Sequence, residues 1–309
     1  MPESASISVF DHIQELYQFL KLPTDRINQQ SEFDIHNLGG VHTVLPFESP
    51  VFRANYFSFV FVKNATGWYT TGEQRFDSRP GTIYFTNPGH YKSFAWHQLQ
   101  DVYLVTMSEA FLKENVHADI FEEFSFLLAE TVPPKVLNPV AFAEFDQLFE
   151  QILREYTAHS PYRNRIIGAL LVVLLLKIKA YFWQDYNPIY EGNRSSQIVR
   201  EFKRYLEQHF REVNQSETTT PKTLRLQECA EAQHLHPNYL SSVIKTKTGK
   251  SIGTWIIEKT IGEAKAMLQN TSLSIKEVAY RLGFSEPTHF SNYFKKYAGV
   301  SPVLYRKQR

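Results

Sequence analysis

Residues 275–301 read IKEVAYRLGFSEPTHFSNYFKKYAGVS, and residues 226–251 read LQECAEAQHLHPNYLSSVIKTKTGKS. Glu228 and Ala230 match Glu277 and Ala279 at an offset of 49, and Ser241, Lys245, Gly249 and Ser251 match Ser291, Lys295, Gly299 and Ser301 at an offset of 50. Similarity at a fixed period marks one supersecondary unit used twice. The one extra residue is expected at the start of the second helix. In the later copy Ile275, Val278, Ala279 and Leu282 recur at i, i+3, i+4, i+7, one apolar stripe of a helix. Gly283 supplies the left-handed turn that ends a helix, and Ser285 stands where a cap for the next would fall. Phe290, Tyr293, Phe294 and Tyr297 then form the inward stripe of that second helix. The earlier copy uses Leu226, Cys229, Ala230 and Gln233, then Leu240, Val243 and Ile244, with His236 at the cap position. Small side chains at Ala230 and Ala279 suit a close helix crossing, and Cys229 reads as a small core residue.

A helix pair of this kind can lay its second helix in the major groove of DNA, which is about 12 Å wide. The side chains opposite the core stripe are the ones that reach base edges. They are Asn238, Ser241, Ser242 and Lys245 in the first copy, and Thr288, Ser291, Asn292 and Lys295 in the second. Lys247, Lys250, Lys296, Arg306, Lys307 and Arg309 are expected nearer phosphates. Residues 252–269 between the copies read as one connecting helix with Trp255, Ile256, Ala264 and Leu268 inward. Two reading helices on one face of the duplex should stand about 34 Å apart, one turn of DNA.

Charge agrees. Residues 197–309 carry 18 Lys and Arg against 10 Asp and Glu, a balance of +8. The whole chain of 309 residues has 33 and 32, so residues 1–196 hold 15 and 22, a balance of −7. A split of that size points to a polyanion as partner of the C-terminal third alone.

The stretch SIKEVAYRLGFSEPTHFSNYFKKYAGVSPVLYR, residues 274–306, resembles the signature of AraC/XylS-type transcription regulators. The resemblance runs from near Gln197 to the end. It implies a seven-helix DNA-binding domain whose helices at 237–247 and 286–297 read the duplex. Thr260 departs from the arginine usual in the connecting helix of such proteins, and the Ser241–Ser242 pair makes the first reading helix less basic than usual.

The first 190 residues change pattern. Asn55–Lys63, Gly81–Thr86, Tyr91–Trp96 and Val102–Thr106 are short aromatic and β-branched runs separated by NATG, DSRPG and NPGH, the chemistry of antiparallel strands and turns. Ser108 opens helical territory, and Pro139–Ala158 and Pro161–Trp183 read as two consecutive helices. The resemblance implies a cupin-like sensor barrel followed by a helical dimerisation element. A barrel of this size encloses one small ligand. Arg53, Phe59, Lys63, Trp68 and Tyr84 are candidates to line it, with Phe57, Phe61 and Phe94 beside them. The helix around Ile166–Leu176 is apolar nearly all round, so a partner subunit is expected to cover one side.

Other classes find little support. His36, His42, His90 and His97 are scattered without a close histidine pair and downstream glutamate, so no metal site is expected. No nucleophile elbow, phosphate loop or zinc-protease helix is visible, so neither catalytic residues nor a cofactor is expected. The opening stretch lacks a basic segment before an apolar run, the longest apolar run is too short to span a bilayer, and a single cysteine fits a reducing compartment. A cytoplasmic location is the expectation.

The expected fold is α+β: a sensor domain with a cupin-like β-barrel at 1–137, a helical dimerisation region at 138–184, a linker at 185–196, and an all-α domain with two helix–turn–helix motifs at 197–309. The expected partners are double-stranded DNA, a small-molecule effector or other signal, a second copy of the chain, and RNA polymerase. Two rivals stand beside this regulator: a cupin-type enzyme with a DNA-binding appendage, and a structural DNA-binding protein of little sequence preference.

Overall fold

The structure, a computed structural model, describes residues 8–72, 74–116, 120–129, 132–182, 194–215, 224–270 and 272–307. In chain order the elements are β1 (Ser8–Phe10), α1 (Ile13–Phe19), β2 (Phe33–Asn37), β3 (Phe47–Glu48), β4 (Phe52–Ala54), β5 (Phe57–Thr71), β6 (Gln74–Ser78), β7 (Thr82–Thr86) and β8 (Tyr91–Met107). There follow α2 (Glu109–Asn115), α3 (Ile120–Glu123), a 3-10 turn (Ser125–Leu128), β9 (Lys135–Val136), α4 (Pro139–Thr157) and α5 (Arg163–Phe182). The C-terminal helices are α6 (Arg194–Gln215), α7 (Leu226–Glu231), α8 (Pro237–Thr248), α9 (Ile252–Asn270), α10 (Ile275–Arg281), α11 (Pro287–Ala298) and α12 (Pro302–Lys307). The chain forms two compact units. One holds residues up to 111 and from 129 to 190, the other 112–128 and everything from 191 onward. The segment 112–128, which chain order places in the sensor domain, thus packs with the C-terminal helices.

The first unit is built on two long antiparallel strands. β5 pairs with β8 along nearly its whole length, with β7 at its first half and with β6 at its second. The expected turn at NATG is instead a set of register shifts between Val62 and Gly67 within β5. Gly67 permits this, because a Cβ there would lie 2.0 Å from the Ala95 carbonyl oxygen. Likewise the runs Tyr91–Trp96 and Val102–Thr106 are parts of one 17-residue strand.

The expected closed barrel is not what the pairing gives. Nine strands form one open sheet along the path β1-β4-β8-β5-β7-β9, with β2 and β3 on β8 and β6 on β5. β1 and β9 end the path, and strands of three and two residues offer little edge for closure. One face packs Val60, Val62, Tyr69, Tyr84 and Trp96 with Ile13, Leu16 and Tyr17 of α1. The opposite face meets α4, where Phe61 stands 5.4 Å and Tyr103 5.8 Å from the Phe149 ring. Asn138 caps α4 by accepting from the Ala141 N–H at 2.9 Å, with Pro139 behind it. Leu171 and Leu174 of α5 are fully buried within this unit, so they are its core and not a free face.

The second unit holds seven C-terminal helices, α6–α12, around one apolar core from Ile198 to Phe294. The two copies of the repeat correspond closely. Both reading helices, α8 and α11, have 12 residues and end on left-handed glycines, Gly249 at φ 77° and Gly299 at φ 79°. Leu235 N–H donates to Ala230 and Phe284 N–H donates to Ala279, a pairing preserved at the offset of 49. The extra residue is therefore Ser285, in the turn, and the cap position of α11 falls on Glu286, whose side chain makes no cap bond. Ser274 does cap α10, in a box with Glu277. His236 caps α8 through Nδ1, which accepts from the Asn238 N–H at 3.2 Å. Among the described residues no helix is long and apolar enough to cross a membrane.

Candidate nucleic-acid interface and ligand cavity

With Leu240, Val243 and Ile244 buried, α8 turns Asn238, Tyr239, Ser242, Lys245 and Thr246 outward. With Phe290 and Phe294 buried, α11 turns out Thr288, His289, Asn292, Lys295 and Lys296. These are the same five helix positions in each copy, at an offset of 50. Each set covers one face over about three turns, the footprint of a helix lying in a groove. Lysines close both helices, Lys245 and Lys247 in α8 and Lys295 and Lys296 in α11. Cations there also complement the negative end of the helix dipole.

Ser241 and Ser291 occupy equivalent positions and are half-buried at the edge of this face. The Ser291 hydroxyl donates back to the Pro287 carbonyl at 2.9 Å, so it serves its own helix. Lys250 is buried and paired with Glu258, which takes it out of the expected phosphate contacts. Arg306 donates to the Leu268 carbonyl at 3.2 Å, whereas Lys307 is exposed; Arg309 lies outside the described residues. Sequence reasoning passed over Tyr239, which is 45% exposed, and Thr246. Projecting the exposed set of α11 back by 50 residues would have found both. Thr260, the departure in the connecting helix, is buried, and its hydroxyl donates to the Ile256 carbonyl at 2.7 Å. It neighbours the Tyr293 hydroxyl, which burial pushes up to about 12.

The first unit contains a cavity of about 80 Å³, partly open to solvent, between α1 and the sheet. Its wall is mostly apolar, with Leu16, Leu20, Tyr69, Tyr84, Phe94 and Trp96, and carries Lys92, Ser93 and Thr70 as polar members. The rings of Tyr69 and Tyr84 stack 3.8 Å apart. Of the five residues expected to line a ligand site, Tyr84 borders this cavity and the other four do not. Phe59 stacks on Phe85 across the opposite sheet face, where Phe61 also points. Arg53 is buried with its guanidinium 3.6 Å above the Tyr91 ring. Lys63 bridges Asp101 at 3.2 Å and Asp146 at 2.7 Å. Trp68 lies under the Arg75 guanidinium at 4.1 Å. Residues one position along, Ser58 and Val60, face the cavity instead. The physical reason is parity: alternation fixes which side chains share a face, and the smaller set borders the open space.

Comparison with known proteins bears on this geometry. A helix-turn-helix domain model matches residues 229–308, from within α7 through α12. An uncharacterised HTH-type transcriptional regulator of Bacillus subtilis, YisR, is 27% identical over 81% of this chain and 85% of its own length. The arabinose operon regulatory protein of Salmonella typhimurium is 26% identical over 76% of this chain and 77% of its own. The solved C-terminal domain of AraT, a response regulator from Geobacillus stearothermophilus, is 35% identical over 38% of this chain and 89% of that one, with a TM-score of 0.33. The chain belongs to the AraC family of transcription regulators. As an AraC-family member it is a DNA-binding transcription regulator, with a sheet-containing N-terminal domain and a helical C-terminal domain.

Proposed function

We propose that this AraC-family regulator reads two successive segments of the major groove with the matched faces of α8 and α11, under control of a ligand held in the N-terminal domain. The observation that carries the reading is the coincidence of five exposed positions on both helices over a common buried stripe. Asn238, Tyr239 and Ser242 address bases from α8, and Thr288, His289 and Asn292 from α11. Lys245, Lys295 and Lys296 sit where either a guanine edge or a phosphate is within reach. The curled sheet acts as a cupin-like holder, and its cavity suits a small molecule with a largely apolar body.

A second copy completes the regulator in this reading. α5 turns Ile166, Ala169, Val173, Leu176 and Ala180 away from its own core, with Val173 41% and Leu176 44% exposed. Their spacing alternates three and four residues, the seam of a coiled coil. Two copies would join along this seam and present four reading helices to DNA, in the cytoplasm and beside RNA polymerase. The test is selection of duplexes from a random-sequence pool by the full chain. The reading expects a motif with two contact clusters about one helical turn apart for each protomer. Recovery of duplexes without a shared motif would instead favour the weakly specific structural protein.

A further inference from the structure

Residues 112–128 enter the helical unit from a distant part of the chain, and they bury charge there. Lys113 of α2 pairs with Glu263 and stands 3.3 Å from Glu207, while Lys259 pairs with Glu207 and stands 3.6 Å from Glu263. The side chains of these four residues are 1% (Lys113), 12% (Glu207), 1% (Lys259) and 2% (Glu263) exposed. The Phe121 ring lies 5.5 Å from the Lys113 ammonium and 5.2 Å from that of Lys259. Leu112, Ile120, Phe124 and Leu127 are buried with it. At the far side, the Tyr305 hydroxyl of α12 donates to Glu114.

The partners of this segment are not random helices. Glu207 belongs to α6, which packs on α8 of the first helix–turn–helix copy. Lys259 and Glu263 belong to α9, the connector that packs on α10 and α11 of the second copy and on α12. One short segment therefore ties the support of the first reading helix to the connector that places the second. Burying two cations and two anions adds little net stability, because desolvation offsets attraction; what such a cluster fixes is geometry.

We propose that the described parts of this segment, residues 112–116 and 120–128, are a built-in brace of the DNA-binding unit that sets the spacing and angle between the two reading helices. The inference rests on the two-helix reading of DNA above. It makes the brace a point of control, because residues 111 and 129 at its ends belong to the sheet unit. A change in that unit which shifts either end is felt at α6 and α9 without any contact to DNA.

The experiment uses the full chain and two duplexes chosen by wild-type selection, one with both contact clusters and one with a single cluster. Lys113→Ala is expected to weaken the two-cluster duplex by about tenfold while changing the single-cluster duplex by less than about threefold. Tyr305→Phe keeps its ring against Phe294 and removes the hydroxyl bond to Glu114; it should lower the two-cluster affinity in the same selective way. An unchanged ratio between the two duplexes for Tyr305→Phe and for Lys113→Ala, whatever happens to melting temperature, overturns the brace. Failure of the wild type itself to prefer two clusters over one overturns the underlying reading instead.

Discussion

Asn292 shows what one side chain is expected to do here. It is exposed at the centre of the α11 face, between Thr288 and Lys295 on the turns before and after. An asparagine amide matches the paired donor and acceptor that adenine shows in the major groove. Asn292→Ala should cost about 1–3 kcal/mol on the preferred duplex and relax preference at one or two base pairs, measured against a scrambled duplex. Lys296→Ala should weaken both duplexes alike and reduce the salt slope by about one. Equal loss on both duplexes for Asn292→Ala would make it a backbone contact. A second expectation concerns stability. His234 adopts φ 54° at the position where the other copy has Gly283 at φ 84°. A left-handed conformation costs a non-glycine residue about 1–2 kcal/mol, and glycine forfeits part of that gain through its looser unfolded state. His234→Gly should therefore stabilise the chain by about 0.5–1 kcal/mol in denaturant titration, and a loss of stability would show that the histidine ring contributes more than its backbone strain.

Elements differ in how much of them the sequence discloses. α10 and α11 were legible because stripe and left-handed glycine pointed to one answer, and the other copy repeated it. β5 was legible as a strand but not as a lining, since Phe59 and Val60 are equally suited to either face. Ser285 misled because a capping serine and an inserted turn serine look the same until Leu235 and Phe284 are aligned through their backbone bonds. The docking of 112–128 on α6 and α9 left no local trace at all, because its partners lie about 100 to 150 positions away. α5 is the instructive middle case. Its apolar run announced burial on several sides, yet only the fold separates Leu171 and Leu174, turned inward, from Val173 and Leu176, turned outward. The two sets make opposite predictions. Leu176→Asp should leave the protomer folded and shift the protein from dimer to monomer in light scattering. Leu171→Asp, burying an unpaired carboxylate, should cost several kcal/mol and unfold the unit. A dimeric Leu176→Asp protein would remove the seam from the interface.

The whole molecule combines a basic reading unit, balanced at +8 over residues 197–309, with an acidic remainder at −7. In the proposed reading, the acidic balance of residues 1–196 discourages loose attachment to phosphates, so affinity is left to the faces of α8 and α11. Each face alone offers few lysines, and the first is the poorer, with Ser242 and Thr246 where the second has Asn292 and Lys296. Such a protomer should hold one half-site weakly. In the proposed dimer, joining two protomers along α5 would turn the second binding event into an intramolecular one, raising overall affinity by about 10²–10⁴ without any new contact to DNA. The double variant Val173→Asp with Leu176→Asp, altering only exposed positions far along the chain from the reading helices, isolates this effect. On a duplex with two half-sites its affinity should fall by about 10²–10⁴, while on a duplex with a single half-site it should match the wild type within about threefold. The wild type should in turn lose its advantage when half-site spacing is changed by half a helical turn, about 5 base pairs, which moves the second site to the opposite side of the duplex. A variant that keeps full affinity for the paired sites would mean that one protomer, with its two unequal helices, carries the recognition unaided.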